Sequence, residues 1–159
     1  MPDIDYLGAA RPALILYLPH RPNGLAWLQQ RPDATELVAA NSNHWRKIVN
    51  LLAKLASPVA EDWRHFRDEC LFQNSALCFV PTMSDKECWH WIGGRDNLQR
   101  CAGLQHNACP LAGALGVSVD TERRLLLTPY PDYRQLSNAL LEKVRLCLEE
   151  HGFYGGVCP

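Results

Sequence analysis

Residues 13–18, Ala-Leu-Ile-Leu-Tyr-Leu, form a run that is apolar at every position. Pro12 bounds it on one side and Pro19-His20-Arg21-Pro22-Asn23-Gly24 on the other. A strand on the surface of a core needs only one apolar face, so a segment apolar on both faces points to a central strand covered on both sides.

Three further segments read as strands. Residues 76–80 (Ala-Leu-Cys-Phe-Val) stop at Pro81, residues 88–92 (Cys-Trp-His-Trp-Ile) stop at Gly93-Gly94, and residues 125–127 are Leu-Leu-Leu. Helical patterns lie between them. A short piece near residues 25–30 stops before Pro32, and Asp33 with Glu36 three residues on makes an acidic capping box for residues 34–40. After Asn41-Ser42-Asn43, the positions Trp45, Ile48, Val49, Leu52 and Leu55 keep the three-and-four spacing of one buried helix face. Ser57-Pro58 then starts a helix with Val59, Trp63, Phe66 and Cys70 on one stripe. Asp96 is placed to cap a helix over residues 97–102, and residues 103–116 are Gly/Ala-rich without a clear period. Asp132 with Gln135 opens the last helix, whose inner face is Leu136, Leu140, Val144 and Cys147 and which stops at His151-Gly152.

Strands alternating with helices imply an α/β fold with right-handed crossovers. The expectation is a three-layer α/β/α sandwich around a mostly parallel four-stranded sheet, with the 117–127 hairpin supplying a possible antiparallel edge strand. The 159 residues suit a single domain over 1–159. The formal net charge is −1, so no global basic field gathers nucleic acid or anionic membrane. No apolar run approaches the ~20 residues of a membrane span, and the acidic Met-Pro-Asp-Ile-Asp start is unlike a signal peptide. Seven cysteines, an odd number, read as reduced thiols in a cytoplasmic chain. Cys70, Cys78 and Cys147 fall at apolar positions, while Cys101, His106 and Cys109, with Cys88 or His90 as a fourth ligand, leave a tetrahedral zinc open although no Cys-x2-Cys knuckle is present. Plain structural cysteines, with no metal, are the simpler reading. Nothing in the pattern sets an oligomeric state.

In open α/β sheets ligands bind at the carboxyl ends of strands. The segments that follow the strands place His20, Asn23, Arg95, Asn97, Thr128, Tyr130 and Arg134 in one candidate ligand-binding pocket. Tyr130 and Arg134 are expected to face the same cleft as His20 and Asn23. The competing reading is that Pro and Gly only turn the chain there while the polar residues cap helices. Phosphate loops, dinucleotide fingerprints, nucleophile elbows, His-Glu-x-x-His and Cys-x-x-Cys are all absent, so no cofactor is expected.

The Pro22-Asn23-Gly24 loop after the first strand, the polar-then-Trp helix start Asn43-His44-Trp45-Arg46, and the x-Pro-x-Pro form of Thr128-Pro129-Tyr130-Pro131 resemble the uracil-DNA glycosylase superfamily in order and layout. Two positions depart from that family. Thr128 stands where it has His, and no Asp follows the first strand where it activates water. The Trp45-Arg46-Lys47 helix start and the Thr128-Pro129-Tyr130-Pro131-Asp132-Tyr133-Arg134 segment also resemble an uncharacterised bacterial family of unknown function. The glycosylase resemblance implies recognition of a nucleobase or nucleic acid, with Tyr17 or Tyr130 stacking and Asn23 or Asn97 reading the base edge. Without the acid–base groups, catalysis does not follow from it. The alternative is a non-catalytic small-ligand or protein-interaction module on the same scaffold.

Overall fold

A computed structural model describes residues 5–156; Cys158 and the first four residues lie outside it. Seven strands form one mixed sheet: β1 (Tyr6–Gly8), β2 (Leu14–Tyr17), β3 (Ser75–Cys78), β4 (Trp89–Gly93), β5 (Cys109–Pro110), β6 (Ser118–Asp120) and β7 (Leu125–Thr128). Their order is β1-β3-β2-β4-β7-β6-β5. This corrects the expected mostly parallel four-stranded sheet. The pairings β3–β2, β2–β4 and β4–β7 are parallel, but β1–β3, β7–β6 and β6–β5 are antiparallel. The unexpected strands β1 and β5 are three and two residues long, too short to carry an apolar period. Pairing to a neighbour, not local sequence, defines them.

The helices are α1 (Leu25–Gln30), α2 (Ala34–Ala39), α3 (Asn43–Ala56), α4 (Trp63–Glu69), α5 (Leu71–Asn74), α6 (Arg95–Arg100) and α7 (Asn138–Glu150), with 3-10 turns at Ala60–Asp62 and Phe153–Gly156. Among the described residues no helix is long and apolar enough to cross a membrane. The two faces of the sheet are covered unequally, which is the second correction to the expected sandwich. Leu14, Leu16, Leu77, Trp89, Trp91 and Leu126 point to a large core closed by α3 and α7 through Ile48, Val49, Leu52, Leu141 and Val144. Ile15, Tyr17, Ala76, Cys78, Ile92 and Leu125 point the other way into a small core. Helix α6 contributes Leu98 to that face, and Cys101 follows it there. The alternation along β2 explains why residues 13–18 had to be apolar throughout: Leu14, Ile15, Leu16 and Tyr17 are all buried, on opposite faces in turn.

Three helix starts differ from expectation. The helix expected from Ser57-Pro58 begins only at Trp63, behind the 3-10 turn Ala60–Asp62, and the Ser57 hydroxyl donates to the Val59 carbonyl at 2.7 Å. Helix α7 begins at Asn138 under a Ser137 cap, whose hydroxyl accepts from the Leu140 N–H. Asp132 instead accepts the Arg134 N–H at 2.8 Å and faces Lys47 at 4.0 Å, so the segment 129–137 is a fixed loop. Asp96 lies inside α6, and Gly94, with φ of 96°, makes the turn into it. That backbone region suits glycine because no Cβ is present to clash.

Candidate functional site

Because β3, β2, β4 and β7 are mutually parallel, the residues after Cys78, Tyr17, Gly93 and Thr128 leave the sheet at one end. Two contacts draw the last of these loops close to its neighbour. A Cβ on Gly93 would stand 2.7 Å from the Pro131 Cδ, and one on Gly94 would stand 3.1 Å from the Tyr130 Cδ2. Small residues after β4 thus let the Pro129-Tyr130-Pro131 segment lie across the strand end, with Tyr130 carried over the mouth.

Tyr130 is held there by two histidines. Its ring stacks on His44 with centroids 5.4 Å apart and planes 6° from parallel. The hydroxyl lies 2.9 Å from His44 Nε2 and 3.4 Å from His20 Nε2. One phenol proton serves only one of these nitrogens, so one imidazole accepts it and the other donates its Nε2–H to the phenol oxygen. Burial, then the Asp132 carboxylate, push the phenol up to about 12, so it stays protonated at neutral pH. Partial burial, then the nearby His44 and Arg100, lower the His20 imidazole below its ordinary value. The His20 ring also meets Trp45 edge-on at 5.9 Å.

Beside this cluster lies a pocket of about 430 Å³ lined by Tyr130, Arg95, Asp96, Asn97, Arg100 and Gln135, among others. Asn97 is buried, and its amide is already committed. Its Nδ2 donates to the Tyr17 and Gly93 carbonyls at 2.7 and 3.4 Å, fastening the ends of β2 and β4 together. Its Oδ1 accepts from Arg100 Nη1 at 3.1 Å, which aims that guanidinium along the pocket wall. Arg95, Asp96 and Gln135 are exposed and have no side-chain partner among the described residues. Their polar atoms are the ones available to a ligand.

The seven residues picked from the sequence divide into three groups. His20 and Tyr130 meet directly, and Arg95 and Asn97 line the same pocket as Tyr130. Thr128 borders an adjoining hollow of about 530 Å³, but its hydroxyl is occupied, accepting the Trp91 indole N–H at 2.8 Å and donating to the Pro129 carbonyl at 2.7 Å. Asn23 and Arg134 line neither hollow. Asn23 exchanges hydrogen bonds with Asn41, its N–H donating at 2.7 Å and its carbonyl accepting at 3.2 Å, and so ties the start of α1 to the end of α2. His44, Asp96, Arg100 and Gln135 were missed as site residues. The signal for His44 was its place in the first turn of a strongly amphipathic helix, since that turn abuts the strand ends.

Among the described residues no group of three or more His, Cys, Asp and Glu stands close enough to hold a metal ion, and no disulfide is formed. Cys88 and Cys101 lie in the small core, where burial pushes Cys88 up to about 11 and raises Cys101 as well, while Cys109 is exposed on β5.

Fold and site together define a small α/β domain with a mixed sheet and a polar cleft at the carboxyl ends of its parallel strands. The chain belongs to a family of unknown function, DUF6942, which matches residues 5–149. No curated protein and no solved structure matches it. The family match brings no link to the uracil-DNA glycosylases, so that resemblance rests on the loop pattern alone.

Proposed function

We propose that this chain binds a small, planar, hydrogen-bonding molecule of nucleobase size in the cleft beside Tyr130, without catalysing its excision. The observation that carries the reading is the doubly held Tyr130 ring, fixed by His44 and His20, forming one wall of a pocket whose unpaired Arg95, Asp96 and Gln135 supply donors and acceptors. An aromatic wall fixed in advance costs little entropy when a flat ligand packs on it. Gln135 takes the base-reading role that Asn97 cannot, because the Asn97 amide is spent inside the fold. A pocket of about 430 Å³ is within the size range of small-molecule sites. A reducing, cytoplasmic setting suits a domain with buried, high-pKa thiols.

Saturation-transfer NMR with the free nucleobases and nucleosides tests this. At least one is expected to bind saturably, and Tyr130→Ala is expected to weaken it about 5- to 150-fold, as for loss of one stacking contact. No transfer to any of them at millimolar concentration, or binding indifferent to Tyr130→Ala, rejects the reading.

A further inference from the structure

A second hollow, away from the strand ends, opens between α3, α4 and the loop before α7. It has a volume of about 620 Å³, and Arg46, Lys54, Arg64 and Arg67 line it with no carboxylate among its walls. We infer that it is a binding site for a compact polyanion, a small molecule carrying two or more linked phosphate groups.

The cations are held near one another by an uncharged scaffold, and only Arg67 has a carboxylate partner, Asp68. Trp63 lies beneath three of them, with Arg64 Cζ at 4.5 Å, Lys54 Nζ at 4.9 Å and Arg67 Cζ at 5.3 Å from the ring centroid. Lys54 Nζ also stands 5.3 Å from the Tyr133 ring. An aromatic face attracts a cation but removes none of its charge. Asn50 completes the scaffold from below. It is 5% exposed, accepts from Arg67 Nη1 at 2.9 Å and donates to the Tyr133 hydroxyl at 2.8 Å. A buried amide in mid-helix is costly unless both ends are bonded, and here both ends serve to aim hollow-lining groups. Tyr133 accepts that bond and keeps its own proton for a ligand.

Charge balance favours an anion of limited length. Arg67 shares its charge with Asp68, but Arg64 has no hydrogen bond or ion pair among the described residues, and Arg46 and Lys54 bond only to the neutral Asn43 and Asn138. Several cations at close range repel one another, and an anion relieves that repulsion. Guanidinium groups present planar forks of donors that match phosphate oxygens. A long nucleic-acid backbone needs a continuous positive track, whereas the adjoining hollow, which shares Lys54 and Arg64, sets Glu142 and Glu149 beside Arg145. The net charge of −1 likewise supplies no wider field. Past the rim the charge is mixed rather than uniformly positive, which suits a compact polyanion better than a long one.

Isothermal titration of the full chain with inorganic triphosphate at fixed ionic strength tests the inference. Saturable binding is expected, with Arg64→Gln weakening it about tenfold, the loss of one charge-assisted hydrogen bond. Arg64 is exposed and has only its Trp63 ring contact to lose, so that variant keeps the fold, and Lys54→Gln serves as a second. Arg95→Gln, in the other cleft, is expected to leave the affinity unchanged, so this result is separable from that of the nucleobase titration. Failure of the wild-type chain to bind at millimolar triphosphate overturns the inference. So does binding lost in Arg95→Gln but kept in Arg64→Gln, or oligothymidine binding more tightly than triphosphate.

Discussion

Thr128→Val isolates one buried hydrogen bond that holds the candidate cleft. Trp91 is 0% exposed, and its indole N–H has the Thr128 hydroxyl as acceptor at 2.8 Å. Valine has nearly the same shape, so the change opens no large cavity, but it strands the indole donor away from water. Leaving a buried donor unsatisfied costs about 1–3 kcal/mol, and the lost bond from Thr128 to the Pro129 carbonyl adds about 0.5–1.5 kcal/mol. The added methyl returns at most about 0.8 kcal/mol. The net loss is therefore about 1–4 kcal/mol. Urea unfolding followed by tryptophan fluorescence reads it: with a slope near 2 kcal/mol per molar, the midpoint should fall by about 0.5–2 M. Thr128→Ser keeps the hydroxyl and should lose only about 0.8 kcal/mol for one buried methyl. A midpoint unchanged in Thr128→Val, or a serine variant as unstable as the valine one, refutes the assignment of the hydroxyl as the indole's acceptor.

Gly94→Ala should lower stability by about 1–2 kcal/mol, because alanine at φ of 96° is strained and its Cβ meets the Tyr130 ring at 3.1 Å; nucleobase binding should weaken with it, and unfolding midpoints with NMR titration check both. Stability should fall as pH drops below about 6.5, because burial lowers the His90 pKa and the unfolded chain then binds the extra proton. His90 Nε2–H donates to the Lys86 carbonyl at 3.1 Å, which leaves Nδ1 to accept the Tyr17 hydroxyl at 2.8 Å, so a second ring proton points at a donor; a pH series in which His90→Gln is as pH-sensitive as wild type contradicts this. In a Cys158→Ser background, Cys109 should react with a maleimide first and Cys88 only on unfolding, since Cys109 is exposed while Cys88 is buried with its thiol at about 11; mass spectrometry of partly labelled chain settles the order.

Helix α3 was legible because its residues had one solution: Trp45, Ile48, Val49, Leu52 and Leu55 repeat at the helical period and all are buried. The start of α7 was not, because the sequence offers two caps five residues apart. Asp132 with Gln135 fits the capping pattern as well as Ser137 does, and long-range contacts decide between them. Asn50 binds the Tyr133 hydroxyl and Lys47 faces Asp132, which pins the loop and delays the helix to Asn138. Strands β1 and β5 were illegible for a similar reason. Gly8 in β1 would place a Cβ 2.5 Å from the Ser75 carbonyl oxygen, so close pairing to β3, and not an apolar alternation, defines that edge.

The two candidate sites differ in how far a sequence can announce them. The strand-end cleft obeys a rule of topology, so His20, Arg95, Asn97 and Tyr130 were placed near one another from their positions after strands. What chain order could not supply was which of them had chemistry left to give: Thr128 and Asn97 look like ligand groups until the indole of Trp91 and the carbonyls of Tyr17 and Gly93 are counted as their partners. The cationic hollow obeys no such rule. Arg46 and Lys54 are on α3, Arg64 and Arg67 on α4, and each pair by itself reads as the solvated face of an amphipathic helix. Only the packing of α3 against α4, with Trp63 and Asn50 between, turns two ordinary faces into one wall of like charge. A cluster that leaves three of its four cations without a carboxylate partner costs stability, and the aromatic contacts offset only part of that cost. An anion bound among them should therefore raise the unfolding temperature of the chain, and Arg64→Gln should shrink that rise while Arg95→Gln leaves it intact.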